Sequence, residues 1–366
     1  MSARRAFLAD VRAALPGWIA AHALVVIGWT ASLLWIEHFR RGVRPDSSTQ
    51  GLFAWDGAFY RSIAEVGYEQ VGREGARFFP LFPLAGRALG AMVATPGFWL
   101  LVLSNAGALL AGALMHRLCR FEGLGAPAAS RAATLVAILP PAFVFVWGYA
   151  ESLLLVLAIA TFLALRRKRW WLAALFGALA ALARPTGVLL VLPALIEACR
   201  GRRGWRDREL PGRAAAVAAP VAGAVAFLWW VGATFGDWRI PIDVQDELRG
   251  GAVNPFVRLL EAGIDFATFD VHGLHFPFAV AMLGLCFVTA RRLPASYAVF
   301  ATALVVVSLS ARNLNSIERY GLDAFPLVIA LALIASSRPR ANVTMIVSSL
   351  GFVALTTMAW LQDYVP

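Results

Sequence analysis

Lysine is almost missing from this chain of 366 residues: Lys168 stands alone among 33 Lys and Arg side chains. An arginine excess of that size points to a GC-rich prokaryotic genome, and hence to a bacterial cell. Charge of either sign is scarce at 15% of residues, against about 25% in soluble domains. No polar stretch is long enough to link two soluble domains, so residues 1–366 read as a single domain. Cysteine is limited to Cys119, Cys199 and Cys286, all near the inner ends of expected helices on the reducing side, which excludes a disulfide framework. There is no fixed-period repeat, so an inverted-repeat transporter finds no support. There is also no D-x-D pair, no tight His/Asp cluster and no Gly-rich phosphate loop, which argues against a bound metal or nucleotide.

What the chain has in abundance is apolar sequence, 60% of residues. Runs near the ~20 residues that cross a bilayer core recur along it. They predict an all-α integral membrane protein, a bundle of about eleven transmembrane helices near 16–37, 97–116, 130–147, 151–165, 170–183, 186–199, 214–235, 274–290, 294–311, 322–337 and 341–361. Arg4, Arg5 and Arg12 precede a first run too long for a signal-peptide core, which predicts a retained helix.

With the N-terminus inside, the inner segments collect 20 of the 33 basic residues but only five of the 22 acids: Asp10, Glu122, Glu197, Asp207 and Glu209. This is the positive-inside pattern, with the C-terminus outside. It explains the net charge of +11 through anionic lipid headgroups, with no need for nucleic acid. The sequon at Asn342 then faces inward and stays unmodified.

Two outer segments are long, about 38–95 and 236–273. Chains that spend extra residues on one face do their work there. In the first, Phe53, Trp55, Phe59, Tyr60 and Ile63 alternate with Asp56, Arg61, Ser62 and Glu65, as an interfacial amphipathic helix requires. Pro80 and Pro83 then break or restart a helix. The second carries Asp243, Gln245, Asp246, Glu247 and Arg249, then an amphipathic stretch over 256–266.

Asp56 is the leading candidate for chemistry. A carboxylate near a low-dielectric surface can serve as a general base; an aspartate before a helix can equally be its N-cap. Arg77, Arg184 and Arg319, each near a helix mouth on the outer side, could grip phosphate or could snorkel and meet helix dipoles. Glu151 could line a cavity or stabilise the start of its helix. His22, inside the first helix, is a site by default or a bridge to a neighbouring helix. His272 and His275 lack a third ligand in sequence reach.

The string W-D-G-A-F-Y-R-S-I-A-E-V-G-Y from Trp55, followed by F-F-P-L-F-P-L from Phe78, resembles the first luminal loop of the PIG-V family. These are GPI mannosyltransferase 2-type enzymes and bacterial homologues, a branch of the C-type polytopic glycosyltransferases. Arg184-Pro185-Thr186-Gly187 and Arg319-Tyr320 with Phe325-Pro326-Leu327 resemble later family segments. The chain departs from the family's Q-x-x-W-G-R: Gln245 is followed by Asp246-Glu247-Leu248-Arg249-Gly250.

The resemblance implies a hexosyltransferase, most simply for mannose. Its donor would be a polyprenyl-phosphate sugar and its acceptor a glycolipid or glycan hydroxyl outside the bacterial plasma membrane. It implies inversion, no metal and no cofactor. Asp56 is then the base, with Trp55, Tyr60, Arg77, Glu151, Arg184, Gln245, Arg319 and Tyr320 around the substrates. One carboxylate is enough, because a lipid phosphate already leaves as a stable anion, unlike the alkoxide a glycosidase must protonate. Phe78–Leu84 should border an apolar groove for the lipid chain. The competing class is a lipid transporter or flippase, which would place ionisable residues mid-helix rather than in two outer loops.

Overall fold

The computed structural model describes residues 3–201 and 208–366. Arg202, Arg203, Arg206 and Asp207 of the inner basic loop lie outside the described residues. In chain order the helices are α1 (Ala3–Phe39), α2 (Asp46–Gln50), α3 (Asp56–Val66), α4 (Tyr68–Val71), α5 (Leu81–Gly90), α6 (Pro96–Phe121), α7 (Ala126–Ile138), α8 (Glu151–Arg166) and α9 (Trp170–Ala183). They continue as α10 (Val191–Cys199), α11 (Leu210–Phe235), α12 (Ile240–Arg249), α13 (Pro255–Ala267), α14 (Phe276–Arg292), α15 (Ala295–Leu309), α16 (Ile317–Asp323), α17 (Pro326–Ile334) and α18 (Arg338–Leu361). Among the described residues no strand forms; one isolated bridge pairs Ala252 with Ala311.

Among the described residues, five stretches are long and apolar enough to cross a membrane: Arg4–Phe39, Pro96–Phe121, Leu210–Phe235, His272–Arg292 and Arg338–Leu361. The other six expected segments are helical but shorter or broken. Pro140 and Pro141 end α7 at Ile138, and a 3-10 turn Pro140–Phe145 continues it, because proline restricts the residue before it and removes a donor. Arg184-Pro185 likewise stops α9 and opens a 3-10 turn over Pro185–Leu190. At the other extreme α1 runs through Pro16 instead of starting there. Tertiary packing holds it: a Cβ on Gly17 would lie 2.7 Å from Thr134 Cα, so α1 presses closely on α7. In the first outer loop α3 is amphipathic, as expected. In the second, α13 matches the expected stretch, while α12 was not foreseen.

The chain forms two compact units, both discontinuous in sequence. The first comprises Met1–Gly67, Phe82–Val156 and Leu331–Pro366. Within it α1 lies against α6, α7 and α18. His22 joins α1 to α6: its ring nitrogens lie 2.8 Å from Trp18 O and 2.8 Å from Asn105 Oδ1. Its role as a helix bridge therefore stands. An aromatic core gathers Trp29, Phe143, Trp147 and Trp360 with ring centres 4.7–5.0 Å apart.

The second unit comprises Tyr68–Leu81 and Leu157–Ala330. Here α9 and α11 pack through small residues. A Cβ on Gly223 would come within 2.5 Å of Ala178 O, and one on Gly177 within 3.0 Å of Pro220 Cγ. Close backbone approach of this kind is how helices associate where lipid provides no hydrophobic drive.

Candidate active site

In the first unit the chain reaches α3 through an unusual turn. Trp55 has φ 59° and ψ −125°, a conformation that favours glycine and costs roughly 1–3 kcal/mol in other residues. Two contacts hold it there. The Trp55 indole N–H donates to Ala359 O on α18 at 2.9 Å, and its backbone N–H donates to Gln50 Oε1 at 3.3 Å. The next residue, Asp56, opens α3. The residue before it, Trp55, makes no side-chain capping bond. Asp56 lies in the first turn, where the helix dipole favours negative charge.

A second loop fastens this turn. Asp56 N–H donates to the Tyr149 hydroxyl at 3.2 Å, and that hydroxyl donates to Ala54 O at 3.1 Å. Gly148 N–H donates to Leu52 O at 2.9 Å. Glycine is required at two points of this joint. A Cβ on Gly57 would stand 3.3 Å from the Tyr149 ring, and one on Gly148 2.4 Å from the Phe53 ring. Tyr60 is buried, edge-on to Phe82 and Tyr149 with centroids at 5.1 and 6.4 Å. Glu151 is fully buried at the start of α8, two residues beyond Tyr149.

The second unit gathers the arginines named from sequence. Arg184 and Arg319 are each only 5% exposed, so neither snorkels. Arg184 Nε lies 3.6 Å from Asp323 Oδ2, which also accepts from Thr186 Oγ1 at 2.9 Å. The Tyr320 ring faces two guanidinium groups, Arg249 at 4.5 Å and Arg184 at 5.7 Å. Such cation–π contacts orient both forks. Next to Arg319, Glu318 is bonded at 2.8 Å by His275 Nδ1, and both are buried.

Backbone pairing ties the end of α12 to the loop before α16. Asn313 N–H donates to Arg249 O, Arg312 N–H to Gly251 O and Val253 N–H to Ser310 O. Arg77 is half-buried over Phe78 at 4.4 Å. Its neighbour Arg73 is exposed and bound by Glu247 through two bonds of 2.9 and 2.7 Å, which holds the Glu247 carboxyl below its ordinary range. Gln245 lies half-buried on α12, two residues from that clamp.

Residues 44–201 match the family described as Mannosyltransferase (PIG-V). The resemblance read from the W-D and F-F-P-L-F-P-L strings is thereby shown over that segment, and glycosyltransferase activity with it. Together with the five long apolar helices, it describes a membrane glycosyltransferase of mannosyl type. No curated protein matches the chain.

The mannosyltransferase segment contains Trp55, Asp56, Tyr60, Arg77, Glu151 and Arg184. Gln245, Arg319 and Tyr320 lie beyond it. Sequence reasoning missed Tyr149, Asp323 and His275 as partners of the named residues, and met Arg249 only in the string that departs from the family. Tyr149 had a local signal in Trp147-Gly148-Tyr149. Asp323 and His275 had none, because their partners are remote in sequence.

Two further segments complete the picture. His275 faces Glu318 and His272 is exposed, so this histidine pair does not converge; among the described residues no three His, Cys, Asp or Glu gather. Phe78, Phe79 and Phe82 are buried against aromatic neighbours such as Tyr60 and Phe227, while Leu84 of the same segment is exposed. The first unit also has an apolar groove of about 390 Å³ along α1 and α18, lined by Val25, Val26, Trp29, Leu52 and Trp360 among others.

Proposed function

We propose that the whole chain is one hexosyltransferase domain. It moves mannose from a polyprenyl-phosphate sugar to a glycolipid or glycan hydroxyl on the outer face of the bacterial plasma membrane. The bundle would cross that membrane eleven times. The observation that carries the reading is the Trp55–Asp56 turn, a strained and doubly anchored presentation of one carboxylate inside the segment that matches the mannosyltransferase family.

Asp56 takes the proton of the acceptor hydroxyl as its oxygen attacks the anomeric carbon. The bond from that carbon to the phosphate oxygen breaks, and the lipid phosphate leaves with the electron pair. Attack opposite the leaving group inverts the sugar carbon. Arg184 and Arg319 stabilise the charge on the departing phosphate, with Tyr320 and Arg249 orienting the forks. Arg77 and Gln245 contact the substrates, and the buried Tyr60 and Glu151 support the substrate site from behind the Trp55–Asp56 turn. No proton need be delivered to a phosphate leaving group, so neither a second carboxylate nor a metal is needed for this chemistry. Buried rather than snorkelling arginines, one braced by Asp323, support an anion-binding role over a lipid-facing one.

Asp56→Asn tests the base. It preserves volume and removes proton acceptance, so transfer from a purified polyprenyl-phosphate mannose should fall about 10²-fold or more, with donor binding and melting temperature nearly unchanged. Near-normal transfer would assign Asp56 a structural role. Arg319→Lys keeps the charge but loses the planar fork; donor KM should rise at least as much as kcat falls. A change in kcat alone would remove Arg319 from donor binding.

A further inference from the structure

Within the second unit, at the end of α9 opposite Arg184, a cleft of about 500 Å³ opens at the amino ends of α9 and α11. Its lining includes Lys168, Arg169 and Arg208, the indole of Trp171, Leu172 and Pro211. The three cations are exposed. Among the described residues, the one acid in the lining, Glu209, is already engaged. Its Oε2 accepts from Arg213 Nη2 at 2.7 Å and from the Trp170 indole at 3.1 Å. Arg213 in turn stacks over Trp170 at 4.6 Å and donates to Ala198 O at 2.7 Å. The cleft therefore presents a net positive surface, reinforced by the positive ends of two helix dipoles.

Two further features narrow the ligand. Lys168 adopts φ 55°, the left-handed conformation closing α8, where Lys168 N–H donates to Leu165 O and Arg169 N–H to Ala164 O. Glycine fits that position with less strain, yet the chain's only lysine occupies it. Beside the cations, Trp171 is 68% exposed, and exposed Leu172 and Leu175 continue the apolar strip along α9. Cations at the end of an apolar helix, with an apolar strip running from them, match a molecule with an anionic head and hydrocarbon tails. A free phosphate would have no use for the strip.

We propose that this cleft is a binding site for an anionic phospholipid. The headgroup phosphate is held by Lys168, Arg169 and Arg208, and the acyl chains lie along Trp171, Leu172 and Leu175. General attraction of basic loops to anionic lipid predicts only diffuse affinity; this cleft predicts one saturable site.

The test is native mass spectrometry of the full chain in detergent, titrated with phosphatidylglycerol, phosphatidylcholine or inorganic phosphate. One phosphatidylglycerol should bind tightly and phosphatidylcholine at least 10-fold more weakly. The triple variant Lys168→Gln, Arg169→Gln, Arg208→Gln should lose roughly 10-fold or more of that affinity, on the scale set by removing basic residues at a membrane surface. The control Arg291→Gln, Arg292→Gln, which removes charge from the end of α14, should bind as the parent does. Equal binding of the two lipids overturns the proposal, as does an equal loss in the control. Competition by millimolar inorganic phosphate assigns the cleft to a free anion and overturns it too. If the triple variant does not fold, photoactivatable phosphatidylglycerol on the unmodified protein decides. Labels should map to 168–175 and 208–212, and labels confined elsewhere reject the site.

Discussion

Tyr149 decides how the Trp55–Asp56 turn is held. Its hydroxyl both accepts from Asp56 N–H and donates to Ala54 O, and its ring fills the space that a side chain at position 57 would need. We expect Tyr149→Phe to remove one bond from each of these two backbone groups, at about 1–3 kcal/mol in all. The larger effect should be on turnover, because a carboxylate displaced by about 1 Å can cost as much as 100-fold. Steady-state kinetics beside a melting curve checks this: kcat should fall 10-fold or more with donor KM unchanged. A melting shift with unaltered kcat would mean that the hydroxyl serves folding alone. Asp323 has the corresponding position beside Arg184. Both are buried, and Thr186 shares the same carboxylate oxygen, so the carboxylate fixes where the guanidinium stands.

Among the elements, α9 and α11 of the second unit pack closely, and their small residues make that possible. Gly223 has no room for a methyl group: its Cβ would stand 2.5 Å from a backbone oxygen on α9, which cannot rotate away. Gly223→Ala should therefore destabilise the chain by roughly 1–3 kcal/mol through overpacking. In detergent this should lower the midpoint of thermal unfolding without changing activity at low temperature. An unchanged midpoint would mean that the two helices slide apart at no cost. In α12, the Arg73–Glu247 clamp fixes an exposed helix to the turn Arg73–Arg77. It is a surface contact and contributes orientation more than stability.

For the whole molecule, the charge distribution predicts an orientation that a labelling experiment can test. Most of the basic residues fall in the segments expected inside, and most of the acids in the two loops expected outside. In a variant with Cys119, Cys199 and Cys286 replaced, Thr49→Cys should react with an impermeant maleimide on intact cells. Arg338→Cys should react only after permeabilisation. The reverse pattern would put the W-D loop on the cytoplasmic side, where a polyprenyl-phosphate donor facing outward could not reach it.

The sequence by itself determined that the chain is helical, apolar and built for a membrane, and it made Asp56, Arg184 and Arg319 stand out. These are local properties. Hydropathy is summed over ~20 neighbouring residues, and a motif is read from adjacent side chains. Only the tertiary structure decided what those residues do to one another. Tyr149 bonds Asp56 from 93 positions away, and Asp323 meets Thr186 across 137. It also decided that α1 passes through Pro16, that six apolar segments are shorter than a full span, and that the arginines are buried. Such outcomes depend on which surfaces fit against which. A buried cation is tolerated only where folding brings a carboxylate or a ring to it, and no local pattern records that partner.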